Sequence, residues 1–427
     1  MEILRPIISL FLLLGILWLA SSNRRAISWS LVFKGLIIQF ILAFLILELD
    51  WISNGFDYVG KGFVSLLGFA REGSLFLFGD LVGNTDSFGY IFAFQVLPTI
   101  IFFSAITSLL FHFGILQKVV FVFAWFMKRT LKLSGAESLS AAANVFVGQT
   151  EAPLLVKPYI NGMTRSELMC LMTGGMSTIA GAVLAAYINY LGGDDPERQV
   201  FFARHLLAAS VMSAPAAIVG AKILLPETEN FVDSAQVKIN KQGNWLEAIA
   251  HGTADGLKMS VNVGVMLLVF TAIIALVNAL LNGVIGSWTG LNEFIESSTS
   301  GRYTEFNLQS IFGIALAPLT WLMGVPWSDA ASVGQLLGEK TVLNEFYAYV
   351  SMEGLMTSGQ LNSEKAQILS TYILCGFANF ASIGIQIGGI GALAPSRRKD
   401  LSELGLRALL AGTAASLFTA ILVGILY

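Results

Sequence analysis

The chain has 427 residues, 55% of them hydrophobic and only 12% charged, with a formal net charge of −3. Soluble domains carry about a quarter charged residues, so most of this chain reads as membrane-embedded, in line with a mean hydropathy of +0.72. The near-neutral charge without a basic block excludes nucleic acid as a partner; Cys170 and Cys375, each in an apolar run, give no disulfide framework, and His112, His205 and His251 lack metal-ligand spacing.

A spanning helix needs about 20 mostly apolar residues. The first candidate, 4–21, is followed and not preceded by Arg24 and Arg25. That is the reverse of a signal peptide, so the run reads as a retained span with its near end in the cytoplasm. A second span is expected over 27–49. Residues 52–80 mix apolar positions with Gly, Lys and Arg, which suits an in-plane interfacial helix. Further spans are expected over 89–116, 166–191, 199–224, 263–286, 365–391 and 405–427. Two more apolar stretches, 138–160 and 309–350, contain too many polar and helix-breaking residues to be simple spans.

Basic residues cluster after the first span (Arg24, Arg25) and after the third (Lys118, Lys128, Arg129, Lys132). They recur after the fifth (Lys222, Lys238, Lys241) and the seventh (Arg397, Arg398, Lys399), whereas "ELDW", "GGDDPERQ" and "GLNEFIESS" are acidic or mixed. The alternation obeys the positive-inside rule for eight spans with both termini outside, provided 138–160 and 309–350 each return to the side they enter. The expected fold is therefore an all-α polytopic membrane protein with eight transmembrane helices and two re-entrant helical hairpins. It forms a single membrane domain over 1–427: scaffold helices and the interfacial helix in 1–136, the first hairpin and its following helix in 137–225, a connection and scaffold helix in 226–308, and the second hairpin, its following helix and the last span in 309–427.

The polar segment 226–247 divides two halves of similar pattern. In each, a hairpin with an acid is followed by a helix crowded with small polar residues, "LMTGGMSTIAGAV" and then "LCGFANFASIGIQIGG". Hydrophobic segments interrupted at matching places point to inverted repeats with interrupted helices and a transport site near the midplane. Irregular backbone is tolerated at that depth only where protein or a watery cavity satisfies it.

The chemistry sits in four segments. In "NVFVGQTEAPLL", Glu151 lies beside Gln149 and Thr150, and Pro153 fits the first turn of a returning helix. A carboxylate in the bilayer core is costly, so it faces water, a partner or a ligand; taken alone it also fits a surface loop. In "GEKTVLNEFYAY", Lys340 and Glu345 are five apart and poorly placed to pair on one helix. Glu345 is then free for a ligand or for a basic residue elsewhere. Phe377, Asn379 and Ser382 supply an aromatic face, a carboxamide and a hydroxyl; Ser177, Thr178 and Val183 are their counterparts in the first half. Such hydroxyls and carboxamides also serve helix packing. Together the set suits a neutral, hydroxyl-rich solute with a flat ring, suits phosphate badly, and offers oxygen ligands to a small hard cation.

At these residues the chain closely resembles the concentrative nucleoside transporter family. "SLSAAANVFVGQTEAPLLVKPYI", "ETE" after Pro226 and "CGFANFASIGIQIGG" match its patterns, and Gly338, Lys340, Asn344, Glu345, Phe346 and Ala348 satisfy its G-x-K-x-x-x-N-E-F-x-A signature. The resemblance covers nearly the whole chain, most strongly 137–391, and the short N-terminal region is similar to the bacterial branch. It implies a homotrimer in the bacterial inner membrane that takes up nucleosides such as uridine by alternating access, with no enzymatic activity and no cofactor besides the coupling ion. Gln149, Thr150 and Glu151 would read the nucleobase, with Val183 and Phe377 packing near it. Glu345, Asn379 and Ser382 would hold the ribose. Sodium would be bound by Asn144 and Thr178 and by the carbonyls of Val147 and Ile179. Proton-coupled relatives tend to read "GQSE", so "GQTEAP" favours sodium. Proton coupling through Glu151 or Glu345, an intramembrane enzyme with paired acids and a gated channel are the alternatives.

Overall fold

The computed structural model describes residues 3–229 and 244–427, and every regular element among them is helical. Lys238 and Lys241, used above to argue sidedness, lie outside the described residues. The chain opens with α1 (Leu4–Ala20), α2 (Trp29–Glu48) and α3 (Asp50–Phe78). The segment expected to lie in the interface is thus one continuous helix. Asp57 anchors it to the core by accepting from both Nε and Nη2 of Arg204 at 2.5 Å.

One order of elements then runs twice. The first copy is α4 (Leu97–His112), α5 (Ile115–Leu131), a hairpin of α6 (Gly135–Asn144) and α7 (Ala152–Ile160), a broken helix of α8 (Arg165–Ser177) and α9 (Gly181–Gly192), and α10 (Pro196–Leu224). The second is α11 (Trp245–Leu280), α12 (Leu308–Leu322), a hairpin of α13 (Trp327–Val342) and α14 (Glu345–Thr357), a broken helix of α15 (Glu364–Leu374) and α16 (Phe380–Leu393), and α17 (Arg398–Leu426). Among the described residues six helical runs are long and apolar enough to cross a membrane, with α1 and α16 as shorter apolar helices.

The first hairpin falls where the sequence placed it, but the second does not. The stretch 309–350 holds α12, a 118° bend and most of the hairpin, whose return arm continues to Thr357. Gly324 at φ +108° and Pro326 produce the bend inside what reads as one apolar run. The expected span 263–286 likewise covers only the second half of α11, which starts at Trp245, together with the π-helical turn at Leu281–Gly286 that follows it. Polar residues such as Glu247, Asp255 and Lys258 lower the hydropathy there without ending the helix.

Helices α8, α10 and α17 make the centre, and nearly every residue of α8 is buried. The pair α4 and α11 stands at the side. A Cβ on Gly252 would lie 2.8 Å from Cα of Ala105, so the two helices touch backbone to backbone, as small residues permit in membranes. The rest of α11 exposes Leu257, Val261, Val265, Leu268 and Leu276, an apolar face suited to lipid or to other helices. Of the histidines, His205 is buried with its Nδ1 3.2 Å from the Tyr372 hydroxyl, and both cysteines are buried and unpaired.

Candidate functional site

The arms and breaks that build the site are set by local sequence. Ser134 and Glu137 form a capping box that starts α6, whose small residues let it run almost fully buried. Residues 145–151 leave the helix, and Pro153 stands in the first turn of the returning α7. In α8 the Ser177 hydroxyl donates to Thr173 O at 2.6 Å and that of Thr178 to Gly174 O at 3.0 Å. Thr178 is extended (φ −119°, ψ 167°), which ends the helix until Gly181 restarts it. Side chains that bond their own backbone compete with the helix in this way.

The second break spans 375–379. Gly376 adopts φ +97°, and a Cβ there would lie 2.5 Å from the carbonyl carbon of Ser177. The two breaks therefore cross in backbone contact, which only glycine permits. Two asparagines restart helices at this centre. Asn344 caps α14 by accepting from Tyr347 N at 2.8 Å, and Asn379 caps α16 by accepting from Ser382 N at 2.9 Å.

Between hairpin tips and breaks lies a cavity of about 460 Å³. Gln149, Thr150, Glu151, Val183, Glu345, Phe377, Asn379 and Ser382, the eight residues expected to meet a solute, all line it. Its volume falls in the ordinary range for a small-molecule site. Glu345 is buried; its Oε1 accepts from the Tyr187 hydroxyl at 3.1 Å and its Oε2 from Asn379 Nδ2 at 2.9 Å. Gln149 Nε2 donates to Ser382 Oγ at 3.2 Å, tying the first hairpin to the second broken helix. Gln386 Nε2 donates to Gln149 Oε1 at 3.1 Å and to Met172 O at 2.9 Å, fixing the orientation of Gln149. At the mouth Glu151 is half-buried, accepts from Gly148 N at 3.3 Å, and stands beside exposed Thr150.

Neither Glu151 nor Glu345 forms an ion pair among the described residues. Both carboxylates keep lone pairs for a ligand's hydroxyls or ring N–H groups. The nearby Lys340 is spent elsewhere, donating to Ile373 O, Cys375 O and Ser416 Oγ at 2.8, 3.1 and 2.9 Å.

The residues expected to hold a cation lie together behind the first tip. Asn144, Val147, Thr178 and Ile179 are all buried. Gly181 N donates to Phe146 O at 3.3 Å, joining tip to break, and a Cβ on Gly174 would lie 3.0 Å from Asn144 Nδ2. Asn144 Nδ2 donates to Ser140 O at 2.9 Å, while its Oδ1 is buried without a hydrogen-bond partner. An orphaned buried oxygen is costly, and a hard cation would satisfy it. Carboxamide, hydroxyl and carbonyl oxygens without a carboxylate fit a singly charged ion better than Zn²⁺ or Ca²⁺. Among the described residues no cluster of His, Cys, Asp and Glu suited to a metal is present.

Sequence reasoning missed Tyr187 and Gln386, which orient Glu345 and Gln149. Gln386 was detectable as a lone carboxamide in "IGIQIGG"; Tyr187 carried no signal. It also missed Asp255, Lys258 and Asn262, which line the cavity from α11. Their spacing of three and four residues places them on one helical face.

Three family models match the chain. "Na+ dependent nucleoside transporter C-terminus" matches residues 205–424, the corresponding N-terminus model 8–81, and "Nucleoside recognition" 93–193. An uncharacterized transporter of Haemophilus influenzae is 41% identical over 100% of this chain and 98% of its own length. Sodium/nucleoside cotransporter 1 of Rattus norvegicus is 41% identical over 97% of this chain, which spans only 62% of that longer protein. Among solved structures, CNTnw in an inward-facing substrate-bound state superposes with a TM-score of 0.90 at 37% identity, covering 100% of this chain and 98% of that one. A doubly substituted CNTnw in an outward-facing state gives 0.89 at 36% identity, covering 100% and 98%. The chain belongs to the sodium-dependent nucleoside transporter family, whose members are transporters and not enzymes.

Proposed function

We propose that this chain is a sodium-coupled symporter that imports nucleosides across a bacterial inner membrane by alternating access, working as a homotrimer. The observation that carries this reading is a cavity in which both hairpins and both breaks converge, with the orphaned Asn144 oxygen behind it. Glu345, Asn379 and Ser382 form a cluster of acceptors and donors that matches ribose hydroxyls. Gln149, Thr150 and Glu151 present the mixed edge that a nucleobase requires, and Val183 and Phe377 supply apolar surface for its faces. Little fixed positive charge faces the ligand apart from Lys258, so nucleotides are poor substrates.

Coupling follows from the shared tip. Sodium on Asn144, Thr178 and the Val147 and Ile179 carbonyls would tie the 145–151 tip to the first break. That orders Gln149, Thr150 and Glu151, so the nucleoside meets a prepared site, and each ligand raises the affinity of the other by the same factor. Movement of hairpins and broken helices against α4 and α11 would then carry the site across, in the manner of repeat-based transporters. The exposed apolar face of α11 suits the trimer contact.

The test is competition against labelled uridine bound to the purified protein in sodium. Intact nucleosides should compete, while ribose, uracil and uridine monophosphate should not. Equal competition by the monophosphate would overturn the assignment.

A further inference from the structure

Lys340 is a buried charge beside the site whose purpose the transport reading leaves unexplained. It is fully buried on the first arm of the second hairpin, and no carboxylate pairs with it among the described residues. A buried ammonium needs strong partners. Its three are all neutral oxygens at the second break: the carbonyls of Ile373 and Cys375, which end α15, and the hydroxyl of Ser416 on α17. The C-terminal end of a half-helix carries unpaired carbonyls and partial negative charge, which a cation offsets.

The matching place in the first repeat is differently filled. There Asn144 ends the first hairpin arm, abuts the last turn of α8 at Gly174, and leaves Oδ1 without a partner. Both repeats thus bring a hairpin arm to the carbonyl end of a broken helix. Both offer backbone carbonyls and one hydroxyl, Thr178 in the first and Ser416 in the second. One arm contributes a neutral oxygen and the other the nitrogen of a lysine fixed to the chain.

We propose that the Lys340 ammonium is a tethered counterpart of the coupling ion: it occupies the cation position of the second repeat, so that only the first break takes sodium. This rests on the assignment of sodium to Asn144. The hairpin that reads the base would then be organised by an exchangeable ion, and the hairpin carrying Glu345 would be organised permanently. The lysine sets the number of sodium ions bound per nucleoside.

Equilibrium binding of labelled uridine across a sodium series tests this with two variants. Lys340→Asn restores a neutral oxygen beside the two carbonyls and Ser416. Its sodium curve should change from the parent's hyperbola to a sigmoid, shifted to higher sodium, as a second ion becomes necessary. Lys340→Met leaves the carbonyls unpaired with no ligand for an ion, and uridine binding should be lost at every sodium concentration. A parental curve in either variant overturns the proposal. Should neither be recoverable folded, the parent and Asn144→Ala decide the matter. Hyperbolic curves displaced in parallel support a single exchangeable ion, and a sigmoidal parent curve with a component that survives Asn144→Ala overturns it. An Asn144→Ala curve that overlays the parent's removes the sodium assignment and this proposal together. Failure of the lysine proposal alone appears instead as an unshifted Lys340→Asn curve beside a displaced Asn144→Ala curve.

Discussion

Replacing Glu345 by glutamine tests the ribose side of the cavity with almost no change in shape. The carboxylate accepts from Tyr187 at 3.1 Å and from Asn379 at 2.9 Å, so both of its oxygens already face donors. A carboxamide has one acceptor oxygen; if that oxygen keeps Asn379, its NH2 meets the Tyr187 oxygen and the Tyr187 O–H loses its acceptor. The opposite amide orientation would face Asn379 Nδ2 with an NH2, and Asn379 cannot turn over without releasing Ser382 N, which its own oxygen caps at 2.9 Å. Leaving a buried donor unpaired costs about 1–3 kcal/mol, and losing a charge-assisted bond to a ligand hydroxyl costs about 1.5–3 kcal/mol. The sum corresponds to at least about 10²-fold weaker uridine binding at 1.4 kcal/mol per tenfold. The second term alone depends on the sugar. A cycle pairing Glu345→Gln with 2′,3′-dideoxyuridine in equilibrium binding isolates it, because interacting groups are non-additive. Parent protein should prefer uridine to the dideoxy compound by about 10²-fold, and the variant by only a few-fold, a coupling of about 1.5–3 kcal/mol. The same preference in both proteins would show that Glu345 does not meet the sugar.

Three further substitutions probe neighbouring parts. Asn144→Ala removes one oxygen from the cation set and should raise the sodium needed for half-maximal uridine binding by about tenfold, a coupling loss of about 1.4 kcal/mol; uridine affinity in saturating sodium should stay near the parent's, and an unshifted sodium curve would refute the placement. Tyr187→Phe takes one donor from Glu345 and should weaken uridine binding by about ten- to a hundredfold, as for a hydrogen bond to a charged group; parental affinity would mean that the hydroxyl positions nothing. Gly376→Ala forces a Cβ at 2.5 Å from the Ser177 backbone onto a residue at φ +97°. Backbone strain of that kind costs about 1–3 kcal/mol before the clash is added, so a melting temperature equal to the parent's would contradict the crossing of the two breaks.

Much of this architecture was legible because the bilayer leaves few options. Uninterrupted apolar runs located α1, α2 and α10 within a few residues and α4 more loosely, its helix starting at Leu97 where 89 was expected, and Glu151 with Pro153 marked the first tip. The second hairpin was misplaced because Gly324 and Pro326 interrupt 309–350 without lowering its hydropathy, so α12 merged with the arm that follows. The length of α11 was hidden for the opposite reason: its polar residues face the cavity or the surface, and hydropathy averages over faces. Glu151 and Glu345, which line the cavity, stood out through their chemical improbability in an apolar chain. Tyr187 was not improbable, and its link to Glu345 joins positions 158 residues apart that only folding brings together. The use of Lys340 was invisible for the same reason, since its partners are carbonyls that every sequence possesses.

Coupling to sodium is tested most directly by uptake of labelled uridine into proteoliposomes under exchanged gradients. With an inward sodium gradient and equal pH on both sides, uridine should accumulate above its external concentration and saturate. With sodium equal on both sides and an inward proton gradient, accumulation should vanish and only equilibration remain. Accumulation that persists in the second condition would contradict sodium coupling and assign the drive to protons.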